Sequence, residues 1–124
     1  MTWVAVGVGA ALGAWLRWWL GIWLNSALNQ LPLGTLAANL VGGYIIGMAV
    51  AFFSYFPALS LEWRLFVITG FLGGLTTFSS FSSEAMSLLL QGQFGWALVH
   101  SSLHLFGSIG CCIAGFATFK WLVG

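Results

Sequence analysis

Four long apolar stretches run along this chain, separated by short polar interruptions. The first extends from Trp3 to Leu24 and carries a single charge, Arg17. Asn25–Ser26 and Asn29–Gln30, followed by Pro32, mark a loop. The second stretch runs from Leu33 to about Phe56, where Pro57 closes it, since proline is tolerated at helix ends but not inside them. Glu62 and Arg64 sit in the next connection. The third stretch, from Trp63 to about Leu90, is longer than the roughly 20 residues a helix needs to cross a bilayer. Gly92 marks the last turn, and Phe94 to about Leu122 forms the fourth stretch. Apolar runs of this length predict an all-α integral membrane protein, a single domain of four transmembrane helices over residues 1–124.

The third stretch interrupts its own pattern. Adjacent Gly73 and Gly74 precede Thr76-Thr77-Phe78-Ser79-Ser80-Phe81-Ser82-Ser83, in which six of eight residues carry hydroxyls. A continuous helix is not expected there, and we expect a break near residues 73–80. Broken transmembrane helices persist where the freed backbone lines a cavity or is buried in protein. Unwound carbonyls can then coordinate a cation, while hydroxyls and half-helix N-termini offer donors to an anion. The alternative is a kinked helix whose hydroxyls bond back to their own carbonyls.

Composition sharpens the membrane reading. The chain is 60% hydrophobic and 4% charged, against roughly 25% charged in an ordinary soluble domain. Three basic residues face two acidic ones, which suits neither nucleic acid nor an acidic surface. Trp3, Trp18, Trp19, Trp23, Trp63, Trp96 and Trp121 lie near the ends of the expected spans, as interfacial aromatic belts do. The pairs Gly9–Gly13, Gly43–Gly47 and Gly70–Gly74 have the GxxxG spacing that lets membrane helices approach closely. Cys111 and Cys112 are adjacent, imply no disulfide framework and read as small packing residues.

With four spans, both termini and the middle loop share one side, which holds Arg64 and Lys120. The other side has only Arg17, and a difference of about one basic residue barely sets an orientation. So small a chain also encloses little of a pathway alone. Together these lead us to expect an antiparallel homodimer of dual topology, which would reproduce the inverted symmetry that larger transporters carry internally.

The few polar groups inside the spans are candidate chemistry. Arg17 lies about seven residues from the end of its span, so it either snorkels to the headgroups or holds a positive charge in an aqueous vestibule that draws anions. Asn39 can bond between helices or donate two hydrogen bonds to a small anion. Phe78 and Phe81 would share a helical face; packing is one explanation, and edge-on contact with an anion is another, since ring edges are partly positive. His100, His104, Ser108 and Cys112 recur every four residues as one polar stripe, either glue between helices or a track. Metal binding by the histidines is not expected, because Cys112 is the nearest thiolate or carboxylate on that face.

GAWLRW (Gly13 to Trp18), GTLAANLVG (Gly34 to Gly42) and GFLGGLTTFSSFSSE (Gly70 to Glu84) occur in this order, one per span. Together they closely resemble the Fluc fluoride channels of bacteria, with Trp18 for a usual tyrosine, Ser80 for a usual threonine and Ser83 for a usual apolar residue. The resemblance implies a fluoride-selective channel of the bacterial inner membrane, not an enzyme, exporting fluoride passively through two pores of an antiparallel dimer. It implies that Asn39 faces the pore, that Phe78 and Phe81 line it edge-on, and that Thr77 and Ser79 neighbour them. His104 and Ser108 would continue the fluoride track, with Cys112 where a threonine is more usual. A central structural sodium would be held by the backbone carbonyls of Gly73 and Thr76 from both subunits. Two rivals stand beside this reading: a small drug-proton antiporter, which needs a carboxylate that the first span lacks, and a structural subunit without transport.

Overall fold

The computed structural model describes residues 1–28 and 30–124. Asn29, part of the first expected loop, lies outside the described residues. Helix α1 spans Thr2–Leu24 and α2 spans Leu33–Tyr55. A single turn, α3 (Leu61–Arg64), continues directly into a π-helical segment, Leu65–Leu72. The short α4 (Gly73–Leu75) follows, then α5 (Phe78–Leu90) and the long α6 (Phe94–Val123). Among the described residues, four helical stretches are long and apolar enough to cross a membrane: Thr2–Leu24, Leu33–Tyr55, Leu61–Leu90 and Phe94–Val123. The protein is all-α and built as a multi-pass membrane protein.

Small residues set the packing. Lipid tails are as apolar as leucine, so close van der Waals fit has to hold membrane helices together. Gly9 and Gly13 of α1 lie against the backbone of Phe66, Gly70 and Phe71, and Gly70 and Gly74 face Val6, Gly9 and Ala10 in return. On the other side, Gly43 and Gly47 of α2 approach the carbonyls of Ser108 and Cys112 on α6, while Gly115 approaches that of Tyr44. All three GxxxG pairs are thus points of backbone contact. Helix α2 lies between the two contacts and is the most buried of the long helices, contributing Ala38, Ala49 and Phe53 to a core with Leu72 and Leu75.

Helix ends follow ordinary capping physics. Pro32 offers no side-chain cap to α2, and the third N–H of that helix, Thr35, is taken by Asn25 Oδ1 at 3.1 Å from the end of α1. The Thr77 hydroxyl caps α5 by accepting the Ser80 N–H at 3.1 Å. Helix α5 closes with Gln93 N–H on Leu88 O and Gly92 N–H on Leu89 O, the Schellman pattern. That pattern puts Gly92 at φ 72°, where a side chain would be strained.

Candidate functional site

Between α4 and α5 the backbone leaves helical geometry for two residues: Thr76 has φ −84°, ψ 153° and Thr77 has φ −151°, ψ 120°. Both fall within the hydroxyl-rich stretch. An extended residue presents its N–H and C=O to the same side, as opposed residues in a β ladder do. Asn39 of α2 answers both. Its Oδ1 accepts the Thr77 N–H at 2.7 Å and its Nδ2 donates to the Thr77 carbonyl at 3.1 Å. In a continuous helix that Thr77 N–H would bond the Gly73 carbonyl; here it goes to Asn39 instead. The Gly74 carbonyl is met by Arg17 Nε at 3.1 Å.

A cavity of about 540 Å³ opens beside this segment. Asn39, Thr77, Phe78, Phe81, His104 and Ser108 are among the residues lining it, along with Thr76 and Cys112. The Phe78 and Phe81 rings meet edge to face at 5.4 Å, and the Phe78 side chain is 79% exposed. Ser79 is exposed next to them, its hydroxyl 3.1 Å from that of Thr77. Most residues named from the sequence thus come to one place. Arg17 and Gly73 do not line the cavity: Arg17 lies behind the segment on Gly74, and Gly73 is exposed, with room for an added methyl group, whose nearest neighbour would be Ile68 O at 3.7 Å.

A second cluster lies behind Phe81. Its ring stacks on His100, centroids 5.3 Å apart and planes within 8°, and sits 4.9 Å from His104. His100 is fully buried and its Nε2 is 3.0 Å from Glu84 Oε1 on α5. Glu84 Oε2 accepts the Thr35 hydroxyl at 2.6 Å. His104 Nδ1 lies 2.9 Å from Asn39 Nδ2. Glu84, His100 and His104 each bring one potential ligand atom within 4.8 Å of the others. This corrects the expectation that the histidines have no carboxylate nearby: it holds along their own helix face, but α5 folds Glu84 against them. Glu84 and Thr35 are site residues that the sequence reading did not single out. An acidic residue inside an apolar span was the available signal, because such residues are rare in membranes unless they have a partner or a role.

The geometry defines a class first: a helical membrane protein with an open, aromatic-edged and donor-lined cavity on a backbone interruption. The family model described as CrcB-like protein, Camphor Resistance (CrcB), matches residues 4–116. Curated relatives named fluoride-specific ion channel FluC match along nearly all of their length. That of Cupriavidus pinatubonensis is 58% identical over 119 residues, 96% of this chain and 94% of the relative. That of Pseudomonas putida is 57% identical over 121 residues, 98% and 95%. That of Burkholderia pseudomallei is 58% identical over 120 residues, 96% and 94%. The chain belongs to the CrcB family, the Fluc family its motifs resemble.

Proposed function

We propose that this protein is a fluoride-selective channel that lets fluoride leave passively across the bacterial inner membrane. The observation that carries the reading is the single cavity on which Asn39, Phe78, Phe81, His104 and Ser108 converge. The names of its relatives supply the ion and the class, a channel and not an enzyme. Physical chemistry supports both. A bare anion entering a low-dielectric medium costs tens of kcal/mol, and each hydrogen bond to a charged group returns about 1.5–3 kcal/mol. Water-filled approaches must therefore shorten the dry stretch. Small, strongly accepting fluoride gains more than chloride from closely set hydroxyls and partly positive ring edges.

In this proposal the channel is an antiparallel, dual-topology homodimer with two pores, and the third span is broken at Thr76–Thr77. Exposure of Phe78 and of the cavity mouth in a single chain supports a partner that completes the path. The Gly73 carbonyl is left without the Thr77 N–H, which goes to Asn39 Oδ1, and a backbone carbonyl freed at a helix interruption is a hard donor that suits a hard cation. Carbonyls of Gly73 and Thr76 from both subunits would hold a structural sodium, whose charge would raise anion occupancy nearby. Arg17 spends Nε on Gly74, so its terminal amino groups are the ones that would meet an anion in the vestibule.

Fluoride efflux from proteoliposomes, with chloride as control, tests the function. Rapid fluoride flux with little chloride flux is expected, and equal halide rates would sink the selectivity. Phe81→Ile should abolish most of the flux; flux left intact would remove the aromatic rings from the path.

A further inference from the structure

Asn39 has three hydrogen bonds, and together they account for its whole donating capacity. Amide oxygen and nitrogen are easily interchanged in assignment, but here the partner settles them. A backbone N–H can only donate and a backbone carbonyl can only accept. Thr77 presents one of each to the same amide, so Oδ1 must face its N–H and Nδ2 its C=O. The remaining N–H of Nδ2 points at His104 Nδ1, 2.9 Å away. That nitrogen must therefore accept. A neutral imidazole has one donor and one acceptor nitrogen, so the proton sits on Nε2.

We propose that Asn39 is a positioning residue: it holds His104 in the tautomer whose Nε2 carries the proton, so the ring offers an anion an N–H and not a lone pair. The structure has the matching signature. His104 Nε2 is buried and without a hydrogen-bond partner among the described residues, the state of a donor held ready behind the Phe81 ring. Asn39 itself has no N–H left for an anion, which favours bonding between helices over direct donation to an ion, the two readings its sequence position left open. The lock also argues against a metal at Glu84, His100 and His104. A metal on His104 Nε2 would need the proton on Nδ1, facing the Asn39 N–H. The role assigned to His104 in ion passage rests on the channel reading; the tautomer does not.

Nitrogen NMR of histidine-labelled protein in lipid bilayers reads the lock directly. In the wild type, His104 should show a protonated Nε2 and an unprotonated Nδ1. Asn39→Asp keeps the acceptor for the Thr77 N–H but replaces the other donor with a carboxylate oxygen. The proton should then move to Nδ1, and fluoride efflux should fall by about tenfold or more, the scale of one lost hydrogen bond to a charged group. A purely structural asparagine would leave the tautomer unmoved. Wild-type protein with its proton on Nδ1, or an Asn39→Asp tautomer like that of the wild type, overturns the proposal. If Asn39→Asp fails to fold, the wild-type spectrum alone decides. A locked Nε2–H in a protein that passes no fluoride confirms the lock and retires the channel reading, and fluoride flux with the opposite tautomer does the reverse.

Discussion

At the scale of single residues, the site is organised by groups that bond each other before they meet any ion. Glu84 accepts from Thr35 and pairs with buried His100, so one carboxylate ties α5 to both α2 and α6. Glu84→Ala would leave a fully buried imidazole nitrogen without its partner, a loss of about 1–3 kcal/mol. Glu84→Gln keeps one acceptor and should cost less. Thermal unfolding in detergent should rank them wild type, then Gln, then Ala; Ala as stable as wild type would mean the bond contributes nothing. Thr77 offers a second test. Its hydroxyl caps α5, so Thr77→Val should lose about 1 kcal/mol of stability while Thr77→Ser loses little. The two predictions differ in how visible their residues were in sequence. The hydroxyl run drew attention to Thr77 by itself. Glu84 gained meaning only once α5 was packed against α6, because no spacing along one helix joins it to His100.

At the scale of elements, hydrophobic runs and glycines carried most of the fold. A helix that must be apolar throughout its span is visible as a run, and a helix that must approach another closely is visible as glycines four apart. The π-helical segment Leu65–Leu72 was not legible. LFVITGFL has no proline to mark it, and what accompanies the widened register is close approach to another helix, the backbone of Phe66 and Phe71 lying against Gly9 of α1. The glycine contacts make a sharp prediction. A methyl group at Gly47 would land on the Cys112 carbonyl of α6, a backbone atom that cannot turn aside. Gly47→Ala should therefore destabilise by about 1–3 kcal/mol, the range for overpacking. Gly95, also in a membrane helix, has nothing within 4 Å of an added methyl group, and Gly95→Ala should leave the melting temperature unchanged or slightly raised. Equal effects at the two positions would mean that α2 and α6 are not held by close approach.

At the scale of the whole molecule, the charges decide more than their number suggests. The N-terminal amine lies 3.6 Å from Glu62, and Phe119 packs beside Phe52 and Tyr55, so the N-terminus, the α2–α3 connection and the end of α6 share one end of the bundle. That end holds Arg64 and Lys120, and Arg17 is the one basic residue left to weigh against them. So weak a bias fits insertion both ways round, and an antiparallel pair would bring two Gly73 and two Thr76 carbonyls towards a common axis. Carbonyl oxygens compensate a hard cation well, and their dipoles repel one another when nothing lies between them. The proposed sodium would thus be structural glue for the dimer as well as a fixed positive charge. Protein purified and reconstituted with sodium replaced by a large organic cation should therefore lose fluoride flux and dissociate more readily on size exclusion, and readdition of sodium should restore both. Elemental analysis of the sodium-free preparation is the necessary control, because an ion trapped between subunits leaves slowly. A preparation shown to be free of sodium that still conducts fluoride as a stable dimer would remove the cation from the proposal and leave the anion path, which rests on Asn39, Phe78, Phe81, His104 and Ser108, standing without it.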